Sequence, residues 1–187
     1  MSSSVSICSN ALLALGAHPI NSFDEATPHA RLCANIYPSV RNNLLRAHPW
    51  HCAIKRVVLS PVSTAPAFGF GYQFPLPADL IRVLSVGERY DDIPYRIEGK
   101  RLLANVQEAR LRYIFRSEDE STWDVALVNV AEVTMQAKLA YAVTGSASLR
   151  DSLTQEAAFL LQQAKSINGQ EDPPERLDGF PTLASRF

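Results

Sequence analysis

No stretch of this chain approaches the roughly 18 uninterrupted apolar residues that a membrane-spanning helix needs. Its first residues, Met1-Ser-Ser-Ser-Val-Ser-Ile-Cys8, have neither the basic flank nor the apolar run of a secretory signal. The cysteines Cys8, Cys33 and Cys52 are odd in number and lack ligand spacing, which fits free thiols in a reducing compartment. Together these absences point to synthesis in the cytoplasm. There is no internal repeat and no low-complexity tract. An excess of one charge is also missing: the net charge of −1 argues against the concentrated basic face of a tight nucleic-acid binder.

What is present is ordinary for a globular protein. Apolar residues make up 47% of the 187 and charged residues 20%, enough for one domain with a sizeable insertion and a core that needs no disulfide. The charge is nevertheless uneven. Residues 1–50 carry +1, residues 51–117 carry +4, and residues 118–187 carry −6. Segregation of this kind can guide docking between unlike surfaces.

Helical spacing opens the chain. Val5, Cys8, Leu12 and Leu15 recur at steps of three and four, which predicts a helix from Val5 to Leu15 capped by Ser4 and stopped by Gly16. A second helix starts at Thr27-Pro28, a capping residue followed by proline at the first helical position. Its seam is Ala30, Cys33, Tyr37, Val40, Leu44 and Ala47. Pro38 lies inside this run, yet the seam stays in phase across it, so one kinked helix is expected rather than two. Pro49 ends it by His48.

From 52 to 117 prolines and glycines punctuate short β-prone pieces: 54–59, 80–86, 95–98, 101–104 and 110–116. Gly99-Lys100 fits a tight hairpin turn. In the last piece Leu111, Tyr113 and Phe115 point one way and Arg110, Arg112 and Arg116 the other, with Ile114 interrupting the polar face.

Helix returns at 123–143, apolar almost all round, with Val125, Val128, Met135, Leu139 and Ala142 on one side and Val130, Val133 and Ala137 near another. Thr144-Gly145-Ser146 is a short link that makes the next helix antiparallel. That helix covers 147–168, with Leu149, Leu153, Ala157, Leu160, Ala164 and Ile167 inward and Gly169 at its end. The expected architecture is α+β: a four-helix bundle from 1–51 and 118–169, a β-rich insertion at 52–117, and an extended tail at 170–187. In that tail Leu177, Phe180, Leu183 and Phe187 are spaced like anchors. Their burial alone cannot order the whole segment against its conformational entropy, so a partner groove supplying backbone hydrogen bonds, or a dock limited to part of the tail, is expected.

Chemistry is scarce. His48 and His51, with Cys52 beside them, lack the further ligands of a metal site, and Trp50 reads as a packing plug in a helix-ending turn. Glu118-Asp119-Glu120 and Asp91-Asp92 sit in polar loops without the burial that separates catalytic pKa values. Phe68-Gly69-Phe70-Gly71-Tyr72 lacks the third glycine and the helix of a dinucleotide loop, and reads as an aromatic-rich loop or strand edge. Ser9 and Ser22 fall in no nucleophile motif. No catalytic, cofactor-binding or metal residue is therefore expected, and the chain reads as non-enzymatic. Two other readings stay open: a virion-associated glycan or peptidoglycan hydrolase using Glu118, Asp119 or Glu120, and a DNA-binding protein using Arg110, Arg112 and Arg116.

An ordered set of segments resembles the phage tail tubular protein A family. It comprises Cys8 to Ala17, Ile20 to Glu25, Ala30 to Tyr37, Arg41, and Leu44-Leu-Arg-Ala-His48-Pro-Trp50. Ala53-Ile-Lys-Arg56, Leu76-Pro-Ala-Asp79-Leu-Ile-Arg-Val-Leu84, Tyr95 to Gly99, Leu111 to Ile114 and Leu139 to Ser146 follow in the same order. The resemblance implies a head-to-tail adaptor of a short-tailed phage. Such an adaptor forms a ring, typically of twelve copies, between the portal protein and a tail nozzle protein similar to tail tubular protein B. The ring continues the channel for genomic DNA, which passes without specific binding. By the same resemblance the protein belongs in the neck of the virion, assembles in the bacterial cytoplasm, and needs no cofactor and no membrane. Family motifs fade beyond Gln170, so the tail is matched to the portal by its position and anchors.

Overall fold

The computed structural model describes residues 2–88 and 93–171. It is a mixed α+β fold with four helices and two small antiparallel sheets.

Helix α1 spans Ser4–Ala14. Its cap is Ser3 rather than Ser4, because Ser6 three positions later completes a reciprocal pair. The Ser6 amide donates to Ser3 Oγ at 3.1 Å and the Ser3 amide donates to Ser6 Oγ at 2.8 Å. Ile7, Cys8, Ala11 and Leu12 form the buried face, with Val5 and Leu15 only partly covered. Helix α2, Pro28–Ala47, starts as the sequence predicts: the Ala30 amide donates to Thr27 Oγ1 at 3.2 Å. It runs as one element through Pro38, which lies on an exposed position. At its far end Ala47 is exposed and Leu45 is buried instead.

Strands β1 (Ile54–Leu59), β3 (Leu80–Val86), β4 (Tyr95–Glu98) and β5 (Arg101–Ala104) match their expected spans. β6 is Ala109–Phe115, one residue earlier than expected. An additional strand, β2 (Tyr72–Pro75), forms at the end of the aromatic-rich loop by pairing with β5. The sheets have the orders β1-β6-β3 and β2-β5-β4. Between β4 and β5, Gly99 and Lys100 both take positive φ (52° and 61°), the primed hairpin geometry that matches strand twist. Leu59, Phe74, Val86, Leu102, Leu111 and Tyr113 from both sheets close a common core. Ile114 leaves β6 on the opposite face and is fully buried among the helices. β6 thus has one side in each core, which is why an apolar residue interrupts its arginine face.

Helix α3, Val125–Thr144, begins two residues later than expected because Asp124 caps it, accepting from the Ala126 amide at 2.7 Å. Trp123 stays outside the helix as a buried plug. Leu127, Val130, Ala131, Met135 and Leu139 join the core shared with α1 and α2. Val133, Ala137 and Ala140 pack instead on Leu153 and Ala157 of α4, Ala147–Gln170. Two expected inward residues of α3 are outward: Val125, 81% exposed in the first turn, and Ala142 in the last. On α4, Leu149 and Ile167 lie on the exposed flank, and Asn168 takes the buried position after Ala164. Gly169 does not end α4, which runs on to Gln170.

Polar links fasten the sheets to the helices. Arg46 Nη1 donates to the Ile81 carbonyl at 2.7 Å, and Arg82 Nη1 returns the contact to the Arg46 carbonyl at 3.3 Å. Asp79 accepts from Lys55 at 2.9 Å and from the Tyr113 hydroxyl at 3.1 Å. Burial pushes its carboxyl upward, but these two donors and the Lys55 charge outweigh that and hold it below its ordinary value. Burial and the same carboxylate raise the Tyr113 phenol to about 12.

Gly145 and Gly169 provide a paired test of backbone conformation. Neither has an atom that an added Cβ would strike, but Gly145 ends α3 at φ 72° while Gly169 is helical. Gly145→Ala is expected to destabilise the protein by about 1 kcal/mol. Gly169→Ala is expected to stabilise it by up to about 1 kcal/mol. Urea unfolding midpoints of the two variants check the opposite signs.

Candidate functional site

The best-built polar site lies where the C-terminal tail begins. Pro49 stops α2, and His48 takes extended backbone (φ −154°). Trp50 turns inward, is 1% exposed, and its indole Nε1 donates to the Leu44 carbonyl at 2.8 Å. That bond satisfies one of the carbonyls left over at the helix end. The plug holds the two histidines apart, and Asn168 enters between them from α4. Its Oδ1 lies 3.1 Å from His48 Nε2 and its Nδ2 lies 3.0 Å from His51 Nδ1. An amide oxygen only accepts and an amide nitrogen only donates. The one amide thus bridges both rings, with the donor and acceptor roles of the ring nitrogens set by their tautomers. One turn on, Glu171 Oε2 is 3.6 Å from His51 Nδ1. His48 also packs edge-on against Trp50, ring centroids 4.8 Å apart. Sequence reasoning singled out the histidines and missed Asn168, whose only signal was a polar residue four positions after the inward Ala164.

Cys52 follows this turn, and burial raises its thiol to about 11, away from thiolate chemistry at neutral pH. Among the described residues no group of three or more His, Cys, Asp or Glu side chains is arranged to hold a metal ion. No described helix is long and apolar enough to cross a membrane.

The three consecutive carboxylates are drawn apart by different partners. Glu118 receives Arg41 at 3.1 Å and Arg116 at 3.2 Å. Asp119 caps the short 3-10 turn 120–122, accepting from the Ser121 amide at 3.1 Å. Glu120, 4% exposed, accepts from the Tyr37 hydroxyl at 2.8 Å inside the helical core. Burial, followed by that carboxylate, pushes the Tyr37 phenol far above its ordinary value. Cys8 and Cys33 lie in the same core, and the hydrogen bond with Cys33 followed by burial keeps the Cys8 thiol protonated. Asp91 and Asp92 lie outside the described residues. Ser9 Oγ donates to the Ile20 carbonyl at 2.5 Å and accepts from the Ile20 amide at 3.2 Å, fastening the loop after α1. The Ser22 hydroxyl accepts from the Asp24 amide at 3.1 Å.

The aromatic loop does not form a phosphate cradle. Phe68 is 89% exposed, Gly69 takes φ 86°, and the Gly71 amide donates to Asn105 Oδ1 at 2.7 Å. Pro66, Phe68, Phe70, Arg96, Glu98 and Leu103 line an open cavity of about 440 Å³ beside it. Of the three arginines expected on the last strand, Arg110 pairs with Glu88, and Arg116, one residue beyond β6, pairs with Glu118. Arg112 stands opposite Arg56 of β1. The anchors Leu177, Phe180, Leu183 and Phe187 lie outside the described residues. No family model matches the chain, and no curated protein matches it.

Asn168→Leu keeps the size of the side chain while removing the amide shared by His48 and His51. The expected cost is about 1–3 kcal/mol. Hydrogen exchange should speed up in the last turn of α4 and at 48–53 while the sheets keep their protection, and unchanged exchange at both places would contradict this role.

Proposed function

We propose that the chain is a structural head-to-tail adaptor of a bacteriophage, non-catalytic, acting as one copy in a ring between portal and tail nozzle. The observation that carries the reading is the ordered run of resembling segments from Cys8 to Ser146. Several of these segments are structural joints: the Trp50 plug, the Lys55–Asp79 link, the Gly99 hairpin and the Gly145 cap. In this reading the four helices act as a bundle, the β-rich part is an insertion between the second and third, and the segment after Gln170 reaches the portal. The ring holds typically twelve copies and continues the DNA channel. The chain is made in the host cytoplasm and ends in the virion neck, with no cofactor and no membrane.

Lateral contacts need apolar surface, and the middle of α3 is not its source, because α1, α2 and α4 cover it. Support comes instead from exposed large residues on the outer elements: Leu13 on α1, Phe159 on α4, and Tyr141 at the end of α3. These fit a protein whose neighbours are further copies and unlike partners. The hydrolase reading gains nothing from the geometry, since Glu118, Asp119 and Glu120 each serve a structural partner.

The full chain is expected to co-sediment with portal rings of its phage. A chain ending at Glu171 should lose this attachment while keeping its helical circular dichroism and its unfolding transition. Attachment of the truncated chain with normal affinity would take the portal role away from the tail, and failure of the full chain to attach would count against the adaptor reading itself.

A further inference from the structure

The β2-β5-β4 sheet has two edges, and among the described residues only one of them is covered. At the β2 edge the Val62 amide donates to the Gln73 carbonyl at 2.9 Å, and Gln73 Nε2 donates to the Thr64 carbonyl at 2.7 Å. Nothing among the described residues does the same at the β4 edge. The hairpin fixes which groups stand open there. A two-residue turn is flanked by a hydrogen-bonded pair, here Glu98 and Arg101, and such pairs alternate along an antiparallel ladder. Arg96 and Glu98 therefore bond to β5, whereas the N–H and C=O groups of Tyr95 and Ile97 point away from it. All four β4 side chains are exposed, Ile97 to 48%. An open row of donors and acceptors is a template for another strand.

The side chains select which strand fits. Arg96 and Glu98 share the face of Leu103, and Tyr95 and Ile97 share that of Leu102 and Ala104. Neither Arg96 nor Glu98 has an ion-pair partner among the described residues, although Arg101 stands across the turn from Glu98. When two copies pair antiparallel about Ile97, Arg96 of each comes opposite Glu98 of the other. Ile97 then exchanges both backbone bonds with its counterpart. The ion pairs fall at the non-bonded positions, where Cα atoms approach to about 4.5 Å. Centring the pair on Arg96 or on Glu98 sets like charges opposite each other, which disfavours it. Tyr95 comes opposite Gly99 of the second copy, which has no side chain to obstruct it. An edge guarded by charges of one sign repels a second copy, but this edge carries one of each. The 66–70 loop, with Phe68 89% exposed, shares an open cavity with Arg96 and Glu98, so pairing sets apolar surface beside the ion pairs.

We propose that β4 is a pairing edge for a second copy of this chain. Two β4 strands join antiparallel about a two-fold axis at Ile97, and an Arg96–Glu98 ion pair forms on each side of the axis. The contact is short, one four-residue strand from each copy against the about 20–30 residues a side of a standard interface. The pair is therefore weak and forms as concentration rises. A two-fold contact closes on itself and cannot continue round a cyclic ring. It belongs to the free protein and does not rest on the adaptor reading.

Sedimentation velocity of the full chain over a rising concentration series provides the test, and a reversible shift from monomer to dimer is expected. R96E and E98R each set like charges opposite at both positions, so each alone should lose at least about tenfold in self-association. An equimolar mixture of R96E and E98R brings opposite charges back into register, and the dimer should return to within a few fold of the unaltered chain. I97P removes only an outward N–H, leaves the hairpin bonds in place, and should also stay monomeric. Far-UV circular dichroism of each variant confirms that it is folded. An unaltered chain that stays monomeric throughout would overturn the inference. So would single variants that associate normally, or a mixture of folded variants without recovery. Growth beyond a dimer, untouched by these substitutions, would overturn it in favour of another surface.

Discussion

A helix with apolar side chains around most of its circumference needs cover on more than one side, and the rest of this fold is arranged to cover the middle of α3. α1 and α2 cover the side bearing Leu127, Val130, Met135 and Leu139, and α4 covers Val133, Ala137 and Ala140. The left-handed Gly145 lets the chain reverse within two residues so that α4 can do this. The sheets are tied to the assembly by β6, which sends Ile114 into the helical core and Leu111 and Tyr113 into the β core. The large apolar residues left exposed on the helices lie on α1, on α4 and at the two ends of α3.

Local chemistry was legible wherever a single residue decides a boundary. Thr27-Pro28 starts α2, Pro49 stops it, and Gly99-Lys100 turns the hairpin, because each acts on its own backbone. The cap of α1 was placed one residue late, since Ser3 is selected by the return bond from Ser6 rather than by its own identity. The errors on α3 have a different cause: with apolar residues on every side, periodicity carries no phase, and Val125 and Ala142 cannot be told from their buried neighbours. β2 was hidden because its pairing with β5 is not local and its first residue belongs to a glycine-spaced aromatic run. Asn168 was the least legible of all. Its partners His48 and His51 lie 120 and 117 positions away, and no local pattern announces a polar side chain that is buried to join them.

Most of the chemically capable groups within the described fold are occupied with holding it together. The buried Glu120 belongs to Tyr37, Glu118 to two arginines, and the His48–Asn168–His51 link to the seam between α2 and α4. The surface has the opposite character, with large apolar residues and a guanidinium pair left over. The clamp around Asn168 fastens the last turn of α4 to the turn that follows α2.

The adaptor account is tested most directly by native mass spectrometry of the full chain mixed with the portal ring of its phage, with the chain alone as control. The account predicts a defined complex with one copy of this chain for each portal subunit. A portal ring that stays bare in the presence of excess chain would contradict it, and would reduce the family resemblance to a likeness without a shared role.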